Sequence, residues 1–175
     1  MRIIFYGGRQ AGAIGLLTLM ARKDEMVLVI PEDDVVENIA KSFNLDIYKP
    51  EKINSEESMK ILQEKNADLL VSVHGRRIIG NNILSLFRLG GMNVHPCLYK
   101  YKGANPIEKL LEDGETKASV GVHKMTEKVD GGTVITEIFT DVRDCKTVVE
   151  VYNKLYPTYS IALNDAMDKL TRGSS

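Results

Sequence analysis

Short, unbroken apolar runs alternate along the chain with stretches in which apolar residues recur every three or four positions. Arg2-Ile3-Ile4-Phe5-Tyr6 stops at Gly7-Gly8. A run without alternation suits a strand buried on both faces of a parallel sheet. From Ala11 to Arg22, residues Ile14, Leu17, Met20 and Ala21 follow helical spacing. Met26 to Ile30 reads as a second buried strand, stopped by Pro31. Asp33 stands where a helix cap belongs, ahead of Val36, Ile39, Ala40 and Phe43. Asp46-Ile47-Tyr48 is expected to be a short strand before Pro50. Asn54 and Glu57 have capping-box spacing, with Ser55 as the alternative cap, for a helix carrying Met59, Ile61, Leu62 and Lys65. Asp68 to Val73 is the next buried strand. The order β-α-β-α-β-α-β, with crossovers of helical length, predicts an α/β class: a Rossmann-like, doubly wound, mostly parallel sheet.

The pattern then changes. Residues Ser119 to Met125 alternate partly, as expected of a half-exposed strand, and Val134 to Thr140 alternate as well. The loop from Thr126 to Thr133 between them contains Gly131-Gly132. This predicts antiparallel strands added in the C-terminal half. From Lys146 a long helix is expected, with a kink or break at Pro157. No repeat or linker divides the chain, so residues 1–170 are expected to form one domain. Residues 171–175 read as a disordered tail or a cloning scar.

Composition narrows the function. The 175 residues carry 23 Lys and Arg against 24 Asp and Glu, a net charge of −1. That gives no basic footprint of the nucleic-acid-binding kind. Two cysteines cannot form a disulfide framework. With no secretory signal and no membrane span in the pattern, a cytoplasmic setting is expected. His74, His95 and His123 lack ligand spacing, and Cys97 with Cys145 adds no pattern, so no metal is expected.

Open α/β sheets bind ligands beyond the carboxyl ends of their strands, so the segments after each strand carry the search for chemistry. Gly7-Gly8-Arg9-Gln10-Ala11-Gly12 has neither the dinucleotide fingerprint nor a phosphate-loop Gly-Lys-Ser/Thr. As a glycine turn it is plain geometry. As a site, Gly8 and Arg9 would hold an anionic group of a substrate. His74-Gly75-Arg76-Arg77-Ile78-Ile79-Gly80 is either a solvated turn into a helix or a slot with apolar walls for a flat ligand. In Gly91-Met92-Asn93-Val94-His95-Pro96, Asn93 and His95 share a strand face, where an amide and an imidazole can both donate to one developing oxyanion. A lone His in a strand is more often structural. Asp130, followed by two glycines, is by itself a common turn residue. Beside His95, however, its carboxylate would orient the imidazole and favour its charged form. Cys97 is the one challenger as a protein nucleophile.

Three segments taken together closely resemble the folate-dependent formyltransferase family: Asn93-Val94-His95-Pro96-Cys97-Leu98, Lys100-Tyr101-Lys102-Gly103-Ala104-Asn105-Pro106-Ile107, and Asp113-Gly114-Glu115-Thr116 through Val129-Asp130-Gly131-Gly132-Thr133-Val134-Ile135. The family includes glycinamide ribonucleotide, methionyl-tRNA and sugar-nucleotide N-formyltransferases. The resemblance implies a 10-formyltetrahydrofolate donor, a primary-amine acceptor and catalytic positions at Asn93, His95 and Asp130. It implies that Arg77, Ile78 and Ile79, with Thr126, Lys128 and Val129, line the pterin pocket, and that Gly8 and Arg9 lie near the acceptor.

This chain departs from the family in two places. The Ser-Leu-Leu-Pro of relatives is replaced by Cys97-Leu98-Tyr99, a loop one residue shorter and without the proline, and the first loop lacks a Gly-Asn-Gly-Ser phosphate cradle. The acceptor expected is a small amine, an amino sugar nucleotide or a glycinamide ribonucleotide-like molecule. The near-neutral charge and the absence of a further domain speak against tRNA. A homodimer is possible. The rival readings are a 10-formyltetrahydrofolate hydrolase, which would use water in place of the amine, and a folate-binding module without turnover.

Overall fold

The computed structural model describes residues 1–173. Six strands form one sheet in the order β2-β1-β3-β4-β5-β6: β1 (Arg2–Gly7), β2 (Glu25–Pro31), β3 (Leu69–Val73), β4 (Gly91–Pro96), β5 (Lys117–Lys124) and β6 (Val134–Asp141). The first four pair in parallel, whereas β4–β5 and β5–β6 are antiparallel. A mostly parallel α/β sheet with antiparallel strands at its C-terminal side is therefore the architecture, as expected.

Period-2 geometry distributes the apolar runs to both faces. Ile3, Phe5, Val71 and Val94 face one core with α1 (Arg9–Ala21), α2 (Asp34–Ser42), α5 (Pro106–Glu112) and α6 (Val148–Arg172). Ile4, Tyr6, Leu28 and Leu70 face the other, against α3 (Glu56–Glu64) and the short α4 (Asn81–Leu84). Burial on both sides is why these strands read as solid apolar runs.

Several expectations are corrected. Residues 46–48 do not form a strand; Ile47 makes one isolated bridge to Val29. β5 is not half exposed, because residues 118–123 are all buried between β4 and β6. Alternation at the surface belongs to the edge strand β6. The helix α6 does not break at Pro157 but runs for 25 residues through it. The proline leaves one carbonyl without its helical donor, and burial of the adjoining Leu155, Thr158 and Tyr159 holds the segment in place. The tail expectation fails at Thr171 and Arg172, which are helical; Ser174 and Ser175 lie outside the described residues. Ser55, not Asn54, caps α3. The helix α5 was not foreseen.

Candidate active site

The sheet order places β1 between β2 and β3, so the chain leaves the two central strands β1 and β3 in opposite directions. At their carboxyl ends, such a reversal opens a crevice. A cavity of about 580 Å³ lies there, lined by Arg9, residues 74–79, Asn93 to Pro96, Gly103 to Pro106, His123 and the 125–130 loop. That volume suits a small-molecule ligand of several rings. Of the residues expected at a site, Arg9, Arg77, Ile78, Ile79, Asn93, His95, Thr126, Lys128, Val129 and Asp130 line this one cavity. Gly8 does not; it is buried behind the wall as the N-cap of α1.

The polar centre is built around Asp130. Its backbone is left-handed, with φ +49, and the residue is 7% exposed. The turn around it needs a glycine at 132, because a Cβ there would fall 1.7 Å from the Lys124 carbonyl oxygen. Asp130 Oδ2 accepts from the Gly103 backbone N–H at 2.7 Å and lies 3.1 Å from His95 Nε2. Asp130 Oδ1 lies 3.2 Å from His123 Nε2. Burial alone would raise this carboxyl. The hydrogen bond to His123, the charge of His95 and the Gly103 N–H outweigh burial and hold it down at about 2. The group is a carboxylate at any physiological pH.

The ring geometry defines where the hydrogens sit. His123 Nδ1 is 2.8 Å from the Lys124 carbonyl, and its Nε2 faces the Asp130 carboxylate. Each ring nitrogen of His123 thus faces a protein acceptor. His95 Nε2 is held between the Gly103 carbonyl at 3.0 Å and Asp130 Oδ2, so it carries hydrogen. His95 Nδ1 is buried with no partner. The Asn93 amide lies 3.4 Å from His123 Nε2 and lines the cavity beside it.

Residue His123 and the backbone of Gly103 were missed from the sequence. The β4–β5 register puts Asn93 directly across from His123 and His95 across from Gly121, which places His123 on the site face. The period-2 pattern of β5 allowed this, but nothing local gives the register. Cys97, the challenger, is buried with its thiol pushed up to about 11 by burial, so it is no nucleophile.

The apolar slot of the 74–80 loop is held from outside the cavity. The Tyr6 hydroxyl donates to Glu32 and accepts from the Arg77 backbone N–H at 2.8 Å. The Arg77 guanidinium donates to Glu32 at 3.2 Å and to the Pro50 carbonyl at 2.8 Å. Burial, and then the Glu32 hydrogen bond, push Tyr6 up to about 12. A Cβ at Gly75 would meet the Tyr6 ring at 2.2 Å, so the loop passes there only as glycine. Asn54, freed from capping, donates to the Ile78 carbonyl at 2.9 Å and accepts from Gly80 N–H at 2.7 Å. Ile78 is left 60% exposed while Ile79 is packed away. Among the described residues no group of three His, Cys, Asp or Glu side chains could hold a metal ion, and no helix is long and apolar enough to cross a membrane.

Comparison with known proteins agrees with this architecture. The model of the Formyl transferase family matches residues 4–167, and the chain belongs to that family. A methionyl-tRNA formyltransferase of Thermotoga maritima is 29% identical over 99% of this chain and 60% of its own length. One from Staphylococcus aureus is 26% identical over 99% and 60%. The chain thus spans about 60% of the curated relatives it matches. Among solved structures, a phosphoribosylglycinamide formyltransferase of Bacillus halodurans superposes with a TM-score of 0.84 at 20% identity, covering 100% of this chain and 97% of that one. A formyltetrahydrofolate deformylase of Pseudomonas putida gives 0.76 at 16%, covering 94% and 63%. These two likenesses concern the fold.

Proposed function

We propose that this chain transfers a formyl group from 10-formyltetrahydrofolate to the primary amine of a small acceptor. The observation that carries the reading is the Asp130 carboxylate, engaged by His95, His123 and Gly103 in the wall of a cavity whose other lining is largely apolar. Ile78, Val129 and Met125 supply apolar walls for a flat pterin, and the tethered 74–80 loop keeps its backbone polar groups in place.

In the reaction the amine nitrogen bonds to the formyl carbon, and the carbonyl oxygen becomes an anion. Asn93 and His95 donate to that oxygen. Asp130 orients His95 and, through water, takes the proton that the amine loses. The carbon–nitrogen bond to the folate then breaks, and the departing nitrogen receives a proton. Holding both reactants in one cleft supplies much of the rate. The near-neutral charge of −1 favours a small acceptor over tRNA.

The test is formyl transfer by singly substituted protein. Asn93→Ala and His95→Ala should each lower kcat by on the order of 10²–10³. Folded His95→Ala that turns over near the native rate would overturn the assignment. Formate released without any amine would instead identify a hydrolase, with water attacking at the same three residues. Folate binding without release of either product would identify a binding module.

A further inference from the structure

His74, on the cavity wall, has no part in the chemistry above. It follows β3 with a left-handed backbone, φ +56, and its ring meets the rings of Tyr159 and Tyr152 edge-on at 5.5 and 6.0 Å. His74 Nε2 is 2.6 Å from the Tyr159 hydroxyl. Tyr159 is 1% exposed, and its hydroxyl has no other hydrogen-bond partner among the described residues. Burial holds that phenol far above its ordinary range, so it keeps its hydrogen. Were Nε2 the donor, the tyrosine hydrogen would be stranded in the core. Tyr159 therefore donates to Nε2, and the imidazole hydrogen sits on Nδ1. Burial, together with the positive charges of Arg9 and His95, pushes the ring down to about 4, so it stays neutral at pH 7.

The result is an N–H of fixed position. Among the described residues His95 Nδ1 is the one buried side-chain nitrogen or oxygen without a partner. His74 Nδ1 has no protein partner either, so it opens onto the cavity its residue lines. Arg9 lines the same cavity, and its charge is felt at both His74 and Tyr152. A cation and a neutral, immobile N–H donor that line one cavity are suited to an anionic oxygen.

We infer that His74 is a specificity-determining residue, whose Nδ1–H joins Arg9 in binding an anionic oxygen, of phosphate or carboxylate, on the amine acceptor. This rests on the proposed function only in giving that wall to the acceptor. Tyr159 is the positioning residue, because it selects the tautomer. A ring free to exchange tautomers would offer a lone pair to the same oxygen for part of the time, and repel it.

The experiment uses the full chain with ¹⁵N-labelled histidine and no folate. His74 should show a protonated Nδ1 and an unprotonated Nε2. Its Nδ1–H signal should move on titration with inorganic phosphate or with acetate, and the anion that moves it further identifies the oxygen's source. In Tyr159→Phe the Nε2–H tautomer should appear. His74→Asn tolerates the left-handed backbone and keeps an N–H near the Nδ1 position; His74→Asp has the same shape and no such donor. Followed at the Arg9 side chain, the anion's affinity should stay within about threefold in the first and fall by about tenfold or more in the second. An Nε2–H tautomer in the native protein, an Nδ1–H unmoved by either anion across the millimolar range, or an Asn variant as weak as the Asp variant would overturn the inference. Formyl transfer is not read in this experiment, so its failure leaves the roles of Asn93, His95 and Asp130 standing, and their failure leaves it standing.

Discussion

Replacing Asp130 by Asn keeps the size of the side chain and removes its charge. The native carboxylate faces three N–H groups, those of Gly103, His95 and His123. The amide can still accept from Gly103 and His95 with its oxygen. Its NH₂ then faces His123 Nε2, which can accept from it while Nδ1 stays on the Lys124 carbonyl. The fold is therefore retained and the charge pairing lost. The carboxyl is held at about 2 against its ordinary 3.8. At about 1.4 kcal/mol per pH unit this sets a ceiling of about 2 kcal/mol, lessened by whatever water in the cavity screens.

The sign follows from the direction of the shift. A carboxyl depressed in the folded state contributes fully above its unfolded value of 3.8 and loses that contribution as pH falls through about 2. Chemical denaturation should show Asp130→Asn less stable than the native protein by up to about 2 kcal/mol at pH 7, with roughly half of the gap gone at pH 3. Formyl transfer should fall by on the order of 10² or more, since both the orienting group and the proton acceptor are lost. A variant as stable as the native protein at pH 7, or a gap of equal size at both pH values, would refute the electrostatic account of this centre.

Loss of His123 in His123→Ala should lower kcat by about 10–100-fold, as for a buried group acting behind the reacting one, with donor affinity kept; steady-state kinetics separates the two. Tyr6→Phe removes the acceptor of the Arg77 N–H and should raise the donor KM by about tenfold, the worth of about 1–2 kcal/mol, while kcat holds; an unchanged KM would mean the 74–80 loop needs no tether. Gly132→Ala must push the 130–132 turn off the Lys124 carbonyl, so a fall in Tm equivalent to about 1–3 kcal/mol and a parallel loss of transfer are expected in thermal unfolding and assay.

The local pattern was enough for most of the scaffold. Unbroken apolar runs at β1, β2 and β3 mean burial on two faces, which in turn means a parallel sheet with helices on both sides. Asn93 and His95 share a face because a strand alternates, and this too is local. Asp46 to Tyr48 misled because three apolar-flanked residues carry no information on whether a neighbour pairs with them. The break allowed for at Pro157 does not occur, because the cost of the proline is local while the burial of Leu155, Thr158 and Tyr159 that offsets it is not.

What the chain could not state for itself is distance. Residue 130 lies far along the sequence from residues 93 and 95, and only the antiparallel register of β4 with β5 brings His123 across from Asn93 and returns the loop to His95. The charge state of Asp130, the hydrogens on His95 and His123, and the tautomer of His74 depend on which acceptors lie within about 3 Å. Those distances are set by packing between segments remote in sequence, so residue types and spacing name the candidate groups, and the tertiary fold decides which of them act on one another.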